Sequence, residues 1–240
     1  MGAVIEVDAV SKRFGALAVI EELSFSLEEG EALGVVGPNG AGKTTTLNMI
    51  AGDFRPSGGS IRFDGQDVTG FSAYRRCKLG IGRTSQIPRP FEGLTVFENV
   101  LVGASFGGAH RGHVARDLAV DALRRTGMIS KANVRAGQLT LLERKRLELS
   151  RALAAEPKVL LLDEIAGGLT DGEVQELVET IKSIHASGVS VIWIEHIVHA
   201  LLKVVDRMLA MDCGRVLVQG DPHEVMASDE VKNVYLGSED

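Results

Sequence analysis

Cysteine is scarce in this chain. Cys77 and Cys213 are the only two, and neither belongs to a Cys-x-x-Cys pair. They exclude a disulfide framework and suit a reducing compartment. No neighbouring pattern points to a lowered thiol pKa, so both are expected to be packed thiols rather than nucleophiles. Long apolar runs are missing as well. The densest, Val159 to Leu162 and Val189 to Ile194, are strand length, far below the roughly 18 residues that a spanning helix needs. The first residues, Met1-Gly2-Ala3-Val4-Ile5-Glu6-Val7, lack the basic stretch and apolar core of a signal peptide. The expectation is a soluble chain whose membrane role would come through a partner. A basic excess is absent too: 26 Lys and Arg stand against 32 Asp and Glu, for a net charge of −6. That argues against nucleic acid as the main partner, because duplex binding rests on clustered cations. There is no internal repeat and no low-complexity tract.

What is present is concentrated in one segment. Gly37-Pro38-Asn39-Gly40-Ala41-Gly42-Lys43-Thr44-Thr45 fits Gly-x-x-x-x-Gly-Lys-[Ser/Thr], the phosphate-binding P-loop. Apolar Ala32 to Val36 before it reads as a buried strand, and Thr45 to Ala51 after it reads as a helix. A loop between strand and helix turns successive backbone N–H groups inward, and the positive end of the helix dipole adds to the pull on phosphate. Glycines allow close backbone approach, Lys43 reaches the β/γ-phosphates, and the Thr44 hydroxyl is placed for Mg²⁺. The segment predicts binding of a nucleoside triphosphate.

The rest of the chain reads as an α/β protein. Residues 3–36 alternate apolar and polar, with breaks at Phe14-Gly15 and Glu29-Gly30, which predicts antiparallel strands leading into the P-loop strand. Residues 53–70 read as turn, strand, turn, and Ile81 to Gln86 as a short strand. Helical patterns then dominate: Thr95 to Val102, Val114 to Thr126 and Leu141 to Ala155, with a flexible Gly107 to Gly112 stretch between the first two. Alternation returns with Val159 to Asp163 (strand), Asp171 to Ala186 (helix), Val189 to Glu195 (strand) and Ile197 to Val205 (helix). Arg207 to Met211 and Arg215 to Gln219 form a hairpin about Cys213-Gly214, and two short helices follow. The pattern predicts a mostly parallel sheet covered by helices. The expected division is a core of residues 1–86 and 157–240 interrupted by a helical subdomain at 87–156.

Val159-Leu160-Leu161-Leu162-Asp163-Glu164 is an apolar strand ending in two acids. Beside a P-loop, the first acid suits the Mg²⁺ shell and the second suits a carboxylate that orients the attacking water. Over nearly its whole length the chain resembles the ATP-binding cassette (ABC) ATPases: a P-loop core with an inserted helical subdomain. The resemblance implies ATP and Mg²⁺ as cofactors, with metal contacts from Thr44, Gln86 and Asp163. It implies that Phe14 stacks on adenine, Gln86 relays motion to a permease, Glu164 acts on the water, and His196, after Val191 to Glu195, contacts the γ-phosphate. A packed strand residue is the other reading of Phe14. His196 and His199 stand at i and i+3, a conceivable zinc pair without a third ligand nearby in sequence. His110, His113, His185 and His223 read as loop or surface residues.

The family's Leu-Ser-Gly-Gly-Gln signature falls, in register with Arg146 and Arg151, on Leu139-Thr140-Leu141-Leu142-Glu143. Both glycines have become leucine and the glutamine glutamate. In the family this segment closes over the partner subunit's ATP. Two readings stay open: the leucines and Glu143 spoil that face, or a Thr-led helix start suffices and the leucines point away. Ile165 stands where the family usually has Pro, and Thr170 where Asp or Asn is common. Gly82 to Phe91, Leu94 to Val100 and the ending Val234-Tyr235-Leu236-Gly237 are similar to the ATPase subunits of branched-chain amino acid importers. That implies a peripheral subunit on the cytoplasmic face of the inner membrane, pairing with a second ABC ATPase, a different chain or a second copy, beneath transmembrane permease subunits. Phe91 and Phe97 are docking residues or packed ones. Rival readings are a weakly hydrolysing assembly subunit and a soluble ABC protein of translation or repair.

Overall fold

The computed structural model describes residues 2–236, and of Leu236 only the backbone. Met1 and Gly237 of the motifs above lie outside the described residues. In chain order the elements are β1 (Ala3–Phe14), β2 (Leu17–Glu28), β3 (Ala32–Val36), α1 (Lys43–Ala51), β4 (Gly58–Phe63), β5 (Gln66–Asp67), α2 (Ala73–Leu79) and β6 (Ile81–Arg83). They continue with α3 (Val96–Val102), α4 (Gly112–Arg125), α5 (Leu141–Leu153), β7 (Val159–Asp163), α6 (Asp171–Ala186) and β8 (Ser190–Ile194). The last are α7 (Val198–Leu201), β9 (Arg207–Asp212), β10 (Arg215–Gly220), α8 (Pro222–Ala227) and α9 (Asp229–Leu236). The chain divides into two compact units, Met1–Ala73 with Ser190–Asp240, and Tyr74–Val189.

In the first unit β2, β1, β4 and β5 form an antiparallel sheet. The alternating segments fold this way because Ile5, Val7, Val10, Ile20, Leu23, Phe25 and Leu27 are all buried while their neighbours, buried Val4 apart, are exposed or half-buried, as a half-covered sheet requires. β3 pairs parallel with both β8 and β9, and β10 pairs antiparallel with β9, giving a mixed sheet. All five residues of β3 are buried, as are all five of β8, the continuous apolar run expected of strands covered on both faces. The β9–β10 turn falls on Cys213 and Gly214, both in the left-handed region at φ +44° and +77°, which matches the right-handed strand twist.

The second unit holds the parallel pair β6 and β7 and most of the helices. α3, α5 and α6 each start at a threonine followed three residues later by glutamate: Thr95 and Glu98, Thr140 and Glu143, Thr170 and Glu173. Each pair closes a capping box, hydroxyl to backbone N–H one way and carboxylate to backbone N–H the other.

Several expected boundaries move. The strand predicted over 81–86 ends at Arg83; Thr84 still donates its N–H to the Leu161 carbonyl at 3.0 Å, and the chain then leaves the sheet. The helix predicted over 197–205 is regular only over Val198–Leu201. Its later turns tighten, with Val204 N–H bonding Leu201 O at 2.8 Å. The Gly107 to Gly112 stretch is partly regular, since a π-turn covers Gly103–Gly107 and Gly112 opens α4.

Candidate functional site

β3 delivers the phosphate loop directly into α1. Gly37, Gly40 and Gly42 adopt φ of +148°, +84° and +95°, and at two of them no side chain fits. A Cβ on Gly37 would stand 2.1 Å from the Met211 carbonyl oxygen, and one on Gly42 would stand 2.4 Å from Ile20 Cδ1. Lys43 is buried, and its Nζ donates to the carbonyls of Gly37 at 2.7 Å and Pro38 at 2.9 Å. The cation is therefore folded along the loop that it serves. Pro38 and Thr44 are half-buried, Ala41 is buried, and Asn39 and Gly40 are exposed at the loop's crest, while Thr45 sits in the first turn of α1. The Gly37 N–H donates to the phenol oxygen of Tyr235, on α9, at 3.0 Å. Burial pushes the Tyr235 phenol pKa up, so the hydroxyl stays neutral and available as an acceptor.

Phe14 closes β1 with 44% of its surface exposed. Its ring meets Phe54 edge-on at 5.4 Å, and Lys12 Nζ lies 4.8 Å from the Phe14 centroid and 5.6 Å from that of Phe54. An exposed aromatic braced by a second ring and topped by a cation is a surface that can receive a planar π-system. His196 follows β8, is exposed, and donates its backbone N–H to Oε1 of the buried Glu195 at 2.9 Å. His199, one turn on, is also exposed, and no cluster of three or more His, Cys, Asp or Glu suited to a metal occurs among the described residues.

In the second unit β7 ends in Asp163 and Glu164. Asp163 is buried and accepts from Arg83 Nη2, on neighbouring β6, at 3.3 Å. Glu164 is half-buried at φ +46°, a backbone region costly to non-glycine residues and met most often at functional positions. Its Oε2 accepts from Gln86 Nε2 at 2.5 Å. At the start of α5, Thr140 N–H donates to Glu143 Oε2 at 3.0 Å, and Lys131 Nζ lies 2.9 Å from Glu143 Oε1. The Thr140 N–H first, and Lys131 next, hold the Glu143 carboxyl below its ordinary pKa. Leu142 is buried and Leu141 is 41% exposed.

A strand–loop–helix cradle for triphosphate, a strand ending in a buried Asp and an engaged Glu, and an aromatic platform are thus all present. The ABC transporter family matches residues 20–167. The chain belongs to that family. The cassette is 36% identical over 233 residues to a probable ABC transporter ATP-binding protein of Azorhizobium caulinodans, covering 96% of this chain and 82% of that one. It is 31% identical to the high-affinity branched-chain amino acid transport ATP-binding protein BraF of Pseudomonas aeruginosa, with 98% of each chain covered. It is also 33% identical to the lipopolysaccharide export system ATP-binding protein LptB of Haemophilus influenzae, over 99% of this chain and 98% of that one. Among solved structures, an ATP-binding cassette of an ABC transporter in its ADP conformation superposes with a TM-score of 0.90 at 25% identity, covering 99% of this chain and 100% of that one. The cassette is accordingly an α/β P-loop ATPase and the ATP-binding subunit of a transporter. No helix among its described residues is long and apolar enough to cross a membrane.

Within the first unit the structure gathers Gly37 to Thr45 into one loop; within the second it joins Gln86 to Glu164 and sets Asp163 one residue before it. Sequence reading passed over three residues. Arg83 was findable as the lone cation on a strand beside the acidic strand end. Tyr235 and Lys12 had no local signal, because their partners lie far along the chain. The cysteines need correction. Cys77 is half-buried and burial pushes its thiol pKa up, but Cys213 is exposed at a hairpin tip, where Asp212 pushes its thiol pKa up. Neither is primed as a nucleophile, and only Cys77 is packed.

Proposed function

We propose that the cassette hydrolyses ATP with Mg²⁺ to drive a permease that takes up branched-chain amino acids or related small polar solutes. The likeness to BraF, a branched-chain amino acid transport protein by name, supports the cargo class; the inward direction and work at the cytoplasmic face of the inner membrane belong to the same proposal. The hydrogen bond from Gln86 to Glu164 carries the reading: it ties the residue that chemistry needs to the segment that a permease would touch. Residues 1–86 with 157–240 would act as the nucleotide core and 87–156 as the helical subdomain.

In this reading Gly37, Pro38, Asn39, Gly40, Ala41, Gly42, Thr44 and Thr45 wrap the phosphates. Lys43 would leave its two loop carbonyls for the phosphate oxygens, a move that exchanges neutral acceptors for charged ones and is favourable in a dry site. Phe14 stacks on the adenine and His196 contacts the terminal phosphate. Thr44, Gln86 and Asp163 supply oxygen donors of the hard kind that Mg²⁺ selects, and the metal, when bound, neutralises charge on the phosphates. Glu164 orients the water and accepts its proton.

Beside Gln86 lies a hollow of about 350 Å³ lined by Arg83, Ser85, Arg89, Val102, Glu148 and Arg151, among others. Ile87 and Phe91 near it are 69% and 47% exposed, and Arg151 stacks over the Phe91 ring at 5.2 Å. Phe97 is half-buried. We assign this hollow to the permease, with Phe91 as the docking residue.

A second reading has its own observation. The Glu143 carboxylate already takes the N–H of Thr140, the residue that caps α5, so this face is poorly equipped to close over another subunit's phosphate. On that view the second ATPase subunit is a different chain with an intact signature, and this chain alone is an ATP-binding, weakly hydrolysing member of an asymmetric pair. Steady-state ATPase of the purified chain across a wide concentration range decides. Activity that rises faster than linearly, and is lost in Glu164→Gln, means that two copies close a working site. ATP binding without turnover at any concentration refutes the homodimer and demands a partner.

A further inference from the structure

A second hollow of the Tyr74–Val189 unit shares Phe106 with the one assigned to the permease and otherwise takes no part in the reading above. It holds about 480 Å³ and is lined by Tyr74, Lys78, Ser105, Phe106, His110 and Arg111, with Ala109 and Gly112. Tyr74 and Phe106 are 60% and 69% exposed, unusual for rings of this size, and Lys78 Nζ lies 4.5 Å from the Tyr74 centroid. Aromatic rings beside lysine ammoniums are the side chains that settle at the headgroup level of a bilayer.

Charge points the same way. The stretches Tyr74 to Lys78 and Ser105 to Gly112, which supply this hollow, hold four of the chain's 26 lysines and arginines and none of its 32 acids. Arg76 is fully buried, which leaves Arg75, Lys78 and Arg111 exposed. Among the described residues the acid bonded to a lining side chain is Glu156, whose Oε2 lies 2.9 Å from His110 Nε2. In a protein of net charge −6, a cationic, aromatic-rimmed face is a local exception.

We propose that this hollow is a membrane-contact face that takes the anionic headgroups of the bilayer, with Lys78 and Arg111 as the phosphate contacts and Tyr74 and Phe106 lodged at the interface. The cassette would then touch the membrane directly, and not through its permease alone. The inference goes beyond the transport reading and does not require it, because binding is read on the chain by itself.

The test is co-sedimentation of the purified chain with vesicles of phosphatidylcholine alone, or of equal parts phosphatidylcholine and phosphatidylglycerol. Each cation near an anionic surface contributes about 1 kcal/mol, so reversing both in Lys78→Glu/Arg111→Glu should weaken binding to anionic vesicles about tenfold or more. ATP binding serves as the folding control. Rising salt should reproduce the loss. Phe106→Trp should show a blue-shifted emission on anionic vesicles and not on neutral ones, above the constant signal of fully buried Trp193. Equal binding to both vesicles, no binding to either, or undiminished binding of the double variant would each overturn the proposal.

Discussion

Gln86 Nε2 lies 2.5 Å from Glu164 Oε2, so the glutamine after β6 holds the carboxylate that follows β7. A general base must be free to meet its water, and here one carboxylate oxygen of Glu164 is engaged by Gln86, whose neighbour Ser85 lines the hollow proposed for the permease. On the proposed roles, binding at that hollow would reach Glu164 through the segment that carries this one hydrogen bond. Removing the carboxylate tests its role. Glu164→Gln should lower ATP turnover by about 10²-fold or more while leaving ATP affinity within about threefold. Single-turnover hydrolysis and equilibrium nucleotide binding read the two quantities. Equal loss of both would mean that Glu164 supports the fold and not the chemistry.

If Asp163 holds Mg²⁺ as proposed, Arg83 opposes the metal. Its guanidinium lies 3.3 Å from the buried Asp163 carboxylate, where it already balances the charge that Mg²⁺ would meet. Arg83→Met removes that competitor, and the half-saturating Mg²⁺ for ATPase should fall several-fold. Mn²⁺ binding in the presence of ATP, followed by paramagnetic resonance, gives a readout independent of turnover. A requirement that stays the same or rises would assign Arg83 to holding Asp163 in place.

The helix start that replaces the family signature is a stability element. Thr140→Ala removes one half of its capping box and should cost about 1 kcal/mol. Restoring the family glycine with Leu142→Gly costs more: a 7% exposed side chain is lost and glycine enters the first turn of α5, for about 2–4 kcal/mol together. Urea denaturation midpoints measure both. A neutral Leu142→Gly would show that this segment is held open and unpacked.

Acid should loosen the second unit through the same boxes. The Glu98, Glu143 and Glu173 carboxyls are each held below their ordinary value of 4.5, first by the backbone N–H of the capping threonine. A depressed folded-state pKa gives stability that is fully present above 4.5 and is lost as pH falls through the lower folded value. Thermal midpoints of the wild type should drop below that pH more steeply than those of Glu143→Gln. Parallel curves would remove the cap from the acid response.

Much of this was legible beforehand, for physical reasons that differ by element. β3, β7 and β8 read correctly because strands covered on both faces are uniformly apolar, and the P-loop because its glycines answer to space and φ. α2 went unread: its one fully buried residue is Arg76, a charge on the inward face, so no apolar stripe marks it. The Ile197 to Val205 run has helical spacing, yet it starts at Ile197 without a side-chain cap and tightens after one regular turn. Three Thr-x-x-Glu starts were visible in the letters and would have shown that Glu143 belongs to its own helix. The Arg83–Asp163 and Tyr235–Gly37 pairs span 80 and 198 positions, and such distances are closed only by the fold.

The last of these pairs has a practical side. Because Tyr235 receives the first amide of the phosphate loop, the final helix is a strut of the nucleotide site, although it adds nothing to the chemistry. A fusion or affinity handle joined just beyond it would pull on that strut. Assays of this cassette are better served by handles at the other end of the chain, where β1 begins on the antiparallel sheet.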